Sequence, residues 1–349
     1  MKKILLVGTY PPPYGGSSVF VLREQQFLQR HGFDVPVFDT LPEGKIGTAT
    51  VIRRPMLSFL FSRGQCADVI HIHAHSAKIK ILFSLKAALC HARLIISYHS
   101  YRTPLKGFRK LANRIALSLC DEIWVNDEGT RSGLQRDFRI DEERVVLFRH
   151  FLPPTDDEFR PEPLDQRFLN FSQLYSPLLM TSAWKLMQVD GQDLYGGDLC
   201  LRLVALLRKT HPQIGLVFFV GRNDFPDRLH LLEVLATELG IGDRVLFLVG
   251  DHRTLPYLKS VDLFLRCTRS DTLGASVLES LVAGVPVVAS DVCPRPPGTV
   301  VFHAEDIHDL YVKAEEVLAA IAVDKTVTAV ENYDESPLIS RILALTGRG

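Results

Sequence analysis

The sequence predicts an α/β protein built from two doubly wound parallel-sheet domains facing a central cleft. Three observations carry that expectation. Short apolar runs alternate with longer amphipathic stretches, a segment rich in Pro and acid interrupts the alternation once, and the alternation then restarts. A length of 349 residues, 46% hydrophobic and 23% charged, suits two globular domains and excludes a disordered, collagen-like or disulfide-framed chain.

Taken in order, strands are expected at residues 4–9, 35–39, 68–73, 94–99 and 122–126, with helices at 17–31, 76–92, 106–120 and 129–138. Residues 151–163, FLPPTDDEFRPEP, lack either periodicity and read as a linker. Beyond it, strands are expected at 178–183, 215–220, 245–249, 262–267, 286–290 and 299–303, and helices at 198–211, 227–239, 272–283 and 306–320. The domains are therefore drawn at 1–160 and 161–335. Residues 336–349 hold a short apolar helix able to pack back across the linker. Repeated βα units imply parallel sheets, which bind ligands at the carboxyl ends of their strands.

The opening MKKILLVG has a short basic start, but its apolar run stops at Gly8 and enters Pro-Pro-Pro without a cleavage site. It reads as a first strand rather than a secretion signal. No window approaches the roughly 18 apolar residues of a membrane span. The six cysteines (66, 90, 120, 200, 267 and 293) are scattered, mostly in apolar segments, and read as buried thiols of a reducing compartment. The expectation from these features is a cytoplasmic protein, soluble or at most peripheral on the inner membrane face.

The formal charge of zero hides an asymmetry. Residues 1–160 hold 23 Lys+Arg against 16 Asp+Glu, leaving 17 against 24 for the rest, so the halves carry +7 and −7. A basic first half fits an anionic partner without naming it.

Two stretches carry candidate chemistry. The first strand runs into GTYPPPYGGSS, where Gly15 and Gly16 precede a helix and free backbone N–H groups to meet an anion; a plain turn explains the pair equally well. The stretch matches neither G-x-G-x-x-G nor G-x-x-x-x-G-K-[ST], which argues against dinucleotide and P-loop chemistry. The second is TRSDTLGASVLESLVAGVPVVASD, residues 268–291. Here Asp271 ends a loop, Thr272, Leu273, Gly274 and Ala275 open a helix with free amides, and Glu279 lies two turns along it, eight residues from Asp271. Amides for phosphates and carboxylates for hydroxyls suit a phosphorylated sugar. A capping Asp with a surface Glu is the plainer alternative.

This second stretch resembles the E-x7-E and EAMACGTPVVASD region of family 4 glycosyltransferases, which share the GT-B fold of two Rossmann-like domains. DVIHIHAH, SYHS and VNDEGTRSGL are similar to further motifs of that family, so the resemblance runs along nearly the whole chain. It implies a retaining transfer of a sugar from a nucleoside-diphosphate donor, UDP- or GDP-linked, to a glycan or lipid-linked acceptor in capsule, lipopolysaccharide or exopolysaccharide assembly. Carried over by position, Glu279 would hold the ribose hydroxyls and Asp271 the donor sugar. Gly15 and Gly16 would line the diphosphate, and His99 would stand near the transferred sugar. In TSAWKLMQVDGQDLYGGDLCLRLVALL, Lys185 stands where the family has a phosphate-binding Arg, and Tyr195 where it has a Lys. Arg222 is the candidate for the second cation, and the loop GDHRT, with Asp251, for contacts to the base. His99, Lys185 and Asp271 are thus the expected catalytic set. An epimerase or hydrolase on the same fold, or a silent nucleotide-sugar binder, remain the alternatives.

His71, His73 and His75 alternate along a strand and tempt a metal reading, but no companion ligands recur at matching strand ends, and packing is the expected role. The sequence contains no D-x-D, so metal-independent chemistry without a cofactor is expected. Lys106, Arg109, Lys110 and Arg114 interleave with Phe108, Leu111, Ile115 and Leu119, and with Lys78, Lys80 and Lys86 they form a candidate surface for anionic lipid; an ordinary solvated face is the alternative. Nothing resembles a nucleic-acid-binding stripe.

Overall fold

The computed structural model describes every residue except 42–46, 54, 61, 63–65, 75, 102–103, 149, 161–162, 273, 324–335 and 348–349. The chain divides into two compact units, Met1–Leu152 with Asp334–Gly349, and Pro153–Tyr333.

The first unit runs β1 (Ile4–Gly8), α1 (Gly16–Arg30), β2 (Val37–Asp39), β3 (Val51–Ile52), α2 (Met56–Leu60), β4 (Val69–Ile72), α3 (Ala77–Cys90), β5 (Arg93–Tyr98), α4 (Gly107–Leu119), β6 (Glu122–Val125), α5 (Glu128–Phe138) and β7 (Val145–Leu147). Its seven strands are parallel in the order β3-β2-β1-β4-β5-β6-β7. All five residues of β1 are buried, as expected of a strand covered by helices on both faces. Local chemistry sets the helix ends. Asp127 caps α5 by accepting from the Thr130 N–H at 2.8 Å, and His91, at φ 52°, ends α3 in the left-handed region.

The second unit runs α6 (Gln166–Leu174), β8 (Leu178–Lys185), β9 (Gln188–Val189), β10 (Gln192–Asp193), α7 (Gly197–Leu207), β11 (Gly215–Arg222), α8 (Pro226–Glu238), β12 (Val245–Val249), α9 (Leu255–Leu258), β13 (Leu263–Arg266), α10 (Ala275–Val282), β14 (Val287–Ser290), β15 (Thr299–Phe302) and α11 (Ile307–Val323). Six parallel strands lie in the order β12-β11-β8-β13-β14-β15. Strands β9 and β10 form a separate hairpin, whose turn residues Asp190 and Gly191 both have positive φ (51° and 80°), the Asp-Gly turn that matches strand twist. The last helix, α12 (Ser336–Leu345), belongs to the first unit: Leu338 and Ile342 are buried among Ile4, Phe27 and Trp124, and Arg341 pairs with Glu122 at 2.8 Å.

Several expectations need correcting. Cys66 and Cys90 are joined as a disulfide, with Cα atoms 5.4 Å apart, so those two are not thiols; Cys120, Cys200, Cys267 and Cys293 are. Within the segment read as a linker, Asp156–Phe159 forms a 3-10 turn whose Phe159 enters the second unit's core. Helix α10 begins at Ala275 rather than 272, because Gly274 adopts φ 69° and cannot be a helical residue; Glu279 therefore sits about one turn into the helix, not two. Lys80 and Lys86 are not surface residues. Lys80 donates to Asn113 Oδ1 at 3.1 Å beside the Tyr98 ring, and Lys86 Nζ caps the carbonyls of Leu60 and Ser62 at 3.2 and 2.8 Å.

Candidate functional site

In each sheet the chain adds strands outward in one direction, then returns to the centre and builds the other way. The reversal lies between β1 and β4 in the first unit and between β8 and β13 in the second. Loops at the carboxyl ends of such a pair diverge and leave a crevice, the usual ligand position of an open parallel sheet. Of the residues expected to carry function, Gly15 and Gly16 follow β1, Lys185 ends β8 and Asp271 follows β13, while His99, Arg222 and Asp251 lie at the carboxyl ends of the further strands β5, β11 and β12.

In the second unit, β8 ends at Lys185 and β11 at Arg222, and the two are register partners across neighbouring parallel strands. Asp224 lies 3.0 Å from Arg222 Nη2 and 4.0 Å from Lys185 Nζ, so both cations gather round one partly exposed carboxylate. On the other side of the reversal, β13 delivers Arg266 and the loop that holds Asp271. Asp271 is buried and its carboxylate is gripped from two sides: Arg266 donates through Nε and Nη2 at 2.9 and 3.1 Å, and Arg295 through Nη1 at 2.8 Å. Burial raises the carboxyl's affinity for a proton, but Arg266 and then Arg295 outweigh it and hold the group well below the usual carboxylate range. Arg295 also donates to the Ser290 carbonyl at 2.8 Å and to Thr268 Oγ1 at 3.2 Å.

This knot shapes the start of α10. Asp271 accepts from the Thr272 N–H at 3.0 Å, and a Cβ at Gly274 would stand 3.1 Å from Arg295 Nη1 and 3.3 Å from Asp271 Oδ2. Gly274 is thus required both by its positive φ and by the closeness of its neighbours. Ala275 opens the helix and Glu279 follows on it, half-buried. Asp251 is exposed in the loop after β12, and Leu273 lies outside the described residues. Tyr195 places its ring 5.3 Å from the Arg266 guanidinium. Sequence reasoning missed Arg266 and Arg295. Their signal was an Arg at a strand's carboxyl end and another in the loop after the next strand, which only the strand order joins.

In the first unit, Gly8 ends β1 so close to β4 that a Cβ would lie 3.2 Å from that of His73. Gly15 precedes α1, and its N–H donates to Ser18 Oγ at 2.9 Å; Gly16 is the first helical residue. Beside this loop stands a buried set. Glu24 Oε1 lies 2.8 Å from His71 Nδ1, and Oε2 lies 2.8 Å from His73 Nε2. His71 continues to Ser97 Oγ at 2.7 Å, and Ser97 to His150 Nε2 at 2.7 Å. His73 Nδ1 faces His99 Nε2 at 3.4 Å, while Phe20 packs against His73, His99 and His150. Burial and then His71 lower His73 to about 4, and burial depresses His150 well below its ordinary value. Burial opposes ionisation of Glu24, but His71 and His73 together hold it well below the usual range.

Glu24, His71 and His73 are the one group of such side chains, among the described residues, close enough together to suggest a metal. Ligands sharing a tetrahedral ion at about 2.0–2.1 Å stand about 3.3 Å apart. The 2.8 Å contact of Glu24 with His71 is that of a hydrogen-bonded pair, whereas Glu24 Oε2 and His73 Nε2, equally close, lack hydrogen-bond geometry. His75 lies outside the described residues.

Comparison with known proteins gives these arrangements a setting. The family described as Glycosyl transferases group 1 matches residues 193–312. Over 103 residues the chain is 35% identical to the lipopolysaccharide core biosynthesis mannosyltransferase LpsB of Rhizobium meliloti (strain 1021), a match covering 28% of each chain. The matched stretch thus spans about a quarter of that relative's length. A glycosyltransferase from Rickettsia africae superposes with a TM-score of 0.73 at 13% identity, over 99% of this chain and 98% of that one. Anabaena HepE, solved in complex with UDP, gives 0.67 at 16% identity over 100% and 98%. The chain therefore has the two-sheet GT-B fold, and over residues 193–312 its sequence is similar to the group 1 glycosyltransferases.

Proposed function

We propose that the protein is a retaining glycosyltransferase that moves a sugar from a nucleoside-diphosphate sugar to a hydroxyl of a growing cell-surface glycan, without a metal or cofactor. The observation that carries this reading is the pairing of Lys185 and Arg222 at the carboxyl ends of β8 and β11. Two cations side by side at a crevice edge suit a departing diphosphate, and preorganised charge of this kind acts where negative charge develops in the transition state. The amides at the start of α10 add donors for the same group, Glu279 takes the ribose hydroxyls, and Asp251 borders the base. Asp271 serves by holding Arg266, Arg295 and the Gly274 turn in shape. The bond from the anomeric carbon to the phosphate oxygen breaks with its electron pair leaving on the diphosphate. The acceptor oxygen attacks the same face, and its proton passes to the departing phosphate. HepE, the relative solved with UDP, and the lipopolysaccharide mannosyltransferase support this donor class and this kind of acceptor.

The acceptor is proposed to be lipid-linked, because α4 turns a stripe of apolar residues outward. Phe108 is 81% exposed, and Leu111, Ile115 and Leu119 follow it along one face, flanked by exposed Lys106, Arg109 and Arg114. A soluble helix normally buries such a stripe, while an interfacial one lays it into anionic lipid.

Thermal shift with UDP, GDP and ADP, followed by donor-hydrolysis and transfer assays, tests the donor reading. One nucleoside diphosphate is expected to stabilise the protein, by about 2.7 kcal/mol at a hundred times its dissociation constant. Lys185→Ala and Arg222→Ala are each expected to lower turnover by about 100-fold or more. Binding without turnover would make the protein a silent binder, and no binding at all would overturn the reading.

A further inference from the structure

Asp224 meets Lys185 and Arg222 in the way an anionic ligand would. Its Oδ1 accepts from Arg222 Nε at 3.1 Å and lies 3.0 Å from Nη2, while Oδ2 faces Lys185 Nζ at 4.0 Å. One anion thus turns one oxygen to each of two cations that β8 and β11 set side by side. The Arg222 contact is a charge-assisted hydrogen bond, but 4.0 Å is too long for one, so Lys185 is held by charge alone. Among the described residues neither cation pairs with another carboxylate. The side chains of Lys185, Arg222 and Asp224 are 33%, 51% and 32% exposed, so water screens the attraction and the bracket opens readily. A diphosphate carries oxygens on two phosphorus atoms and can meet a lysine and an arginine together at hydrogen-bond distance, which the short aspartate does not do. The two anions cannot share the bracket, because a carboxylate left between the cations would face incoming phosphates of the same sign. Asp224 lies in the short loop between β11 and α8, so a change of its own rotamer removes it without moving either strand.

We propose that Asp224 is an internal competitor for the donor: its carboxylate holds the place of the diphosphate between Lys185 and Arg222, leaves when the donor arrives, and returns to favour release of the product. Transfer turns a phosphate diester into a terminal phosphate with a further ionisable oxygen, so the product carries more negative charge than the donor. Asp224 therefore opposes the nucleoside diphosphate more than the nucleotide sugar. The part of the proposal that concerns donor and product rests on the glycosyltransferase reading; competition with a diphosphate at this bracket does not.

The test is calorimetric titration of the full chain with inorganic pyrophosphate and with UDP, GDP and ADP, comparing the unaltered protein with Asp224→Asn and Asp224→Glu. Asn removes the charge at nearly constant shape and is expected to tighten pyrophosphate binding about fivefold, the upper worth of an exposed ion pair. Glu keeps the charge and is expected to bind as weakly as the unaltered protein. Equal affinity in the unaltered protein and the Asn variant, a Glu variant that binds as tightly as the Asn variant, or no pyrophosphate binding to any of the three overturns the proposal. Tightened pyrophosphate binding with no response to any nucleoside diphosphate leaves the competition standing and overturns the donor reading instead. If Asp224→Asn does not fold, Asp224→Ser, equally uncharged, takes its place. Where transfer is observed, Asp224→Asn is expected to strengthen inhibition by the product nucleoside diphosphate by a larger factor than it lowers donor KM; equal factors overturn the part in release. A loss of thermal stability with every affinity unchanged would assign Asp224 to holding the β11–α8 loop only.

Discussion

Arg295 reaches back across the loop after β14 to place Nη1 2.8 Å from Asp271 Oδ2, opposite the two nitrogens of Arg266. One buried carboxylate thereby neutralises one of two buried guanidiniums at the carboxyl edge of the second sheet.

Removing that carboxylate leaves both guanidiniums without their counter-ion in a site with little access to water. Asp271→Asn is expected to cost about 3–5 kcal/mol, the usual result of breaking a buried ion pair from one side. Denaturant unfolding checks it, and an unchanged midpoint would return Asp271 to the role of a simple sugar contact.

Acid should loosen the first unit. His73 binds its proton less tightly folded, at about 4, than the 6.5 of an unperturbed imidazole, because burial and His71 oppose the charge; His150 is shifted the same way. Between those values the unfolded chain holds more protons, so stability is full above about 6.5 and falls as pH drops toward 4, by up to about 1.4 kcal/mol per pH unit for each histidine. Unfolding midpoints measured from pH 4.5 to 8 should show that slope, and His150→Asn should flatten it. A level profile between 4.5 and 6.5 speaks against the neutral buried histidines.

Gly196 and Gly32 separate two costs that are usually mixed. Both have positive φ (67° and 78°), but a Cβ on Gly196 would stand 2.0 Å from the Cys267 carbonyl oxygen, whereas one on Gly32 meets nothing within 4 Å. Gly32→Ala is expected to lose only the left-handed penalty of about 1–2 kcal/mol. Gly196→Ala should lose about 1–3 kcal/mol more, since backbone must move to admit the methyl group. Equal losses in thermal unfolding would refute the clash.

The outward face of α4 gives a binding prediction. Phe108→Ser with Leu111→Ser should weaken co-sedimentation with phosphatidylglycerol-containing vesicles by at least about tenfold, from lost apolar burial, with little change in melting temperature. Raising salt should weaken binding of the unaltered protein as charges are screened. Equal binding to neutral and anionic vesicles would remove the electrostatic half of the argument.

Strands that carry a continuous apolar run were legible: β12 falls at 245–249 as expected, and β8 and β11 only extend the expected runs to include Lys185 and Arg222. What stayed hidden had little pattern to offer. β7 is three residues long, β3 two, and α6 shows too few turns for a period to emerge. The site divided along the same line. Lys185 and Arg222 were named from sequence, and the register makes them neighbours. Glu24 and Arg295 carry no local sequence signal, because their partners lie 47 and 24 residues away. The Cys66–Cys90 pairing was equally invisible, since spacing alone does not show which thiols meet.

The placement of α12 makes the second unit an insertion within the polypeptide of the first. Leu338 and Ile342 complete a core that begins at Ile4, yet they are synthesised only after Pro153–Tyr333. A nascent chain that has built the first sheet therefore carries an uncovered apolar groove throughout synthesis of its second sheet. The first unit reaches its final core only when that later segment returns, so the two units cannot mature in simple amino-to-carboxyl succession.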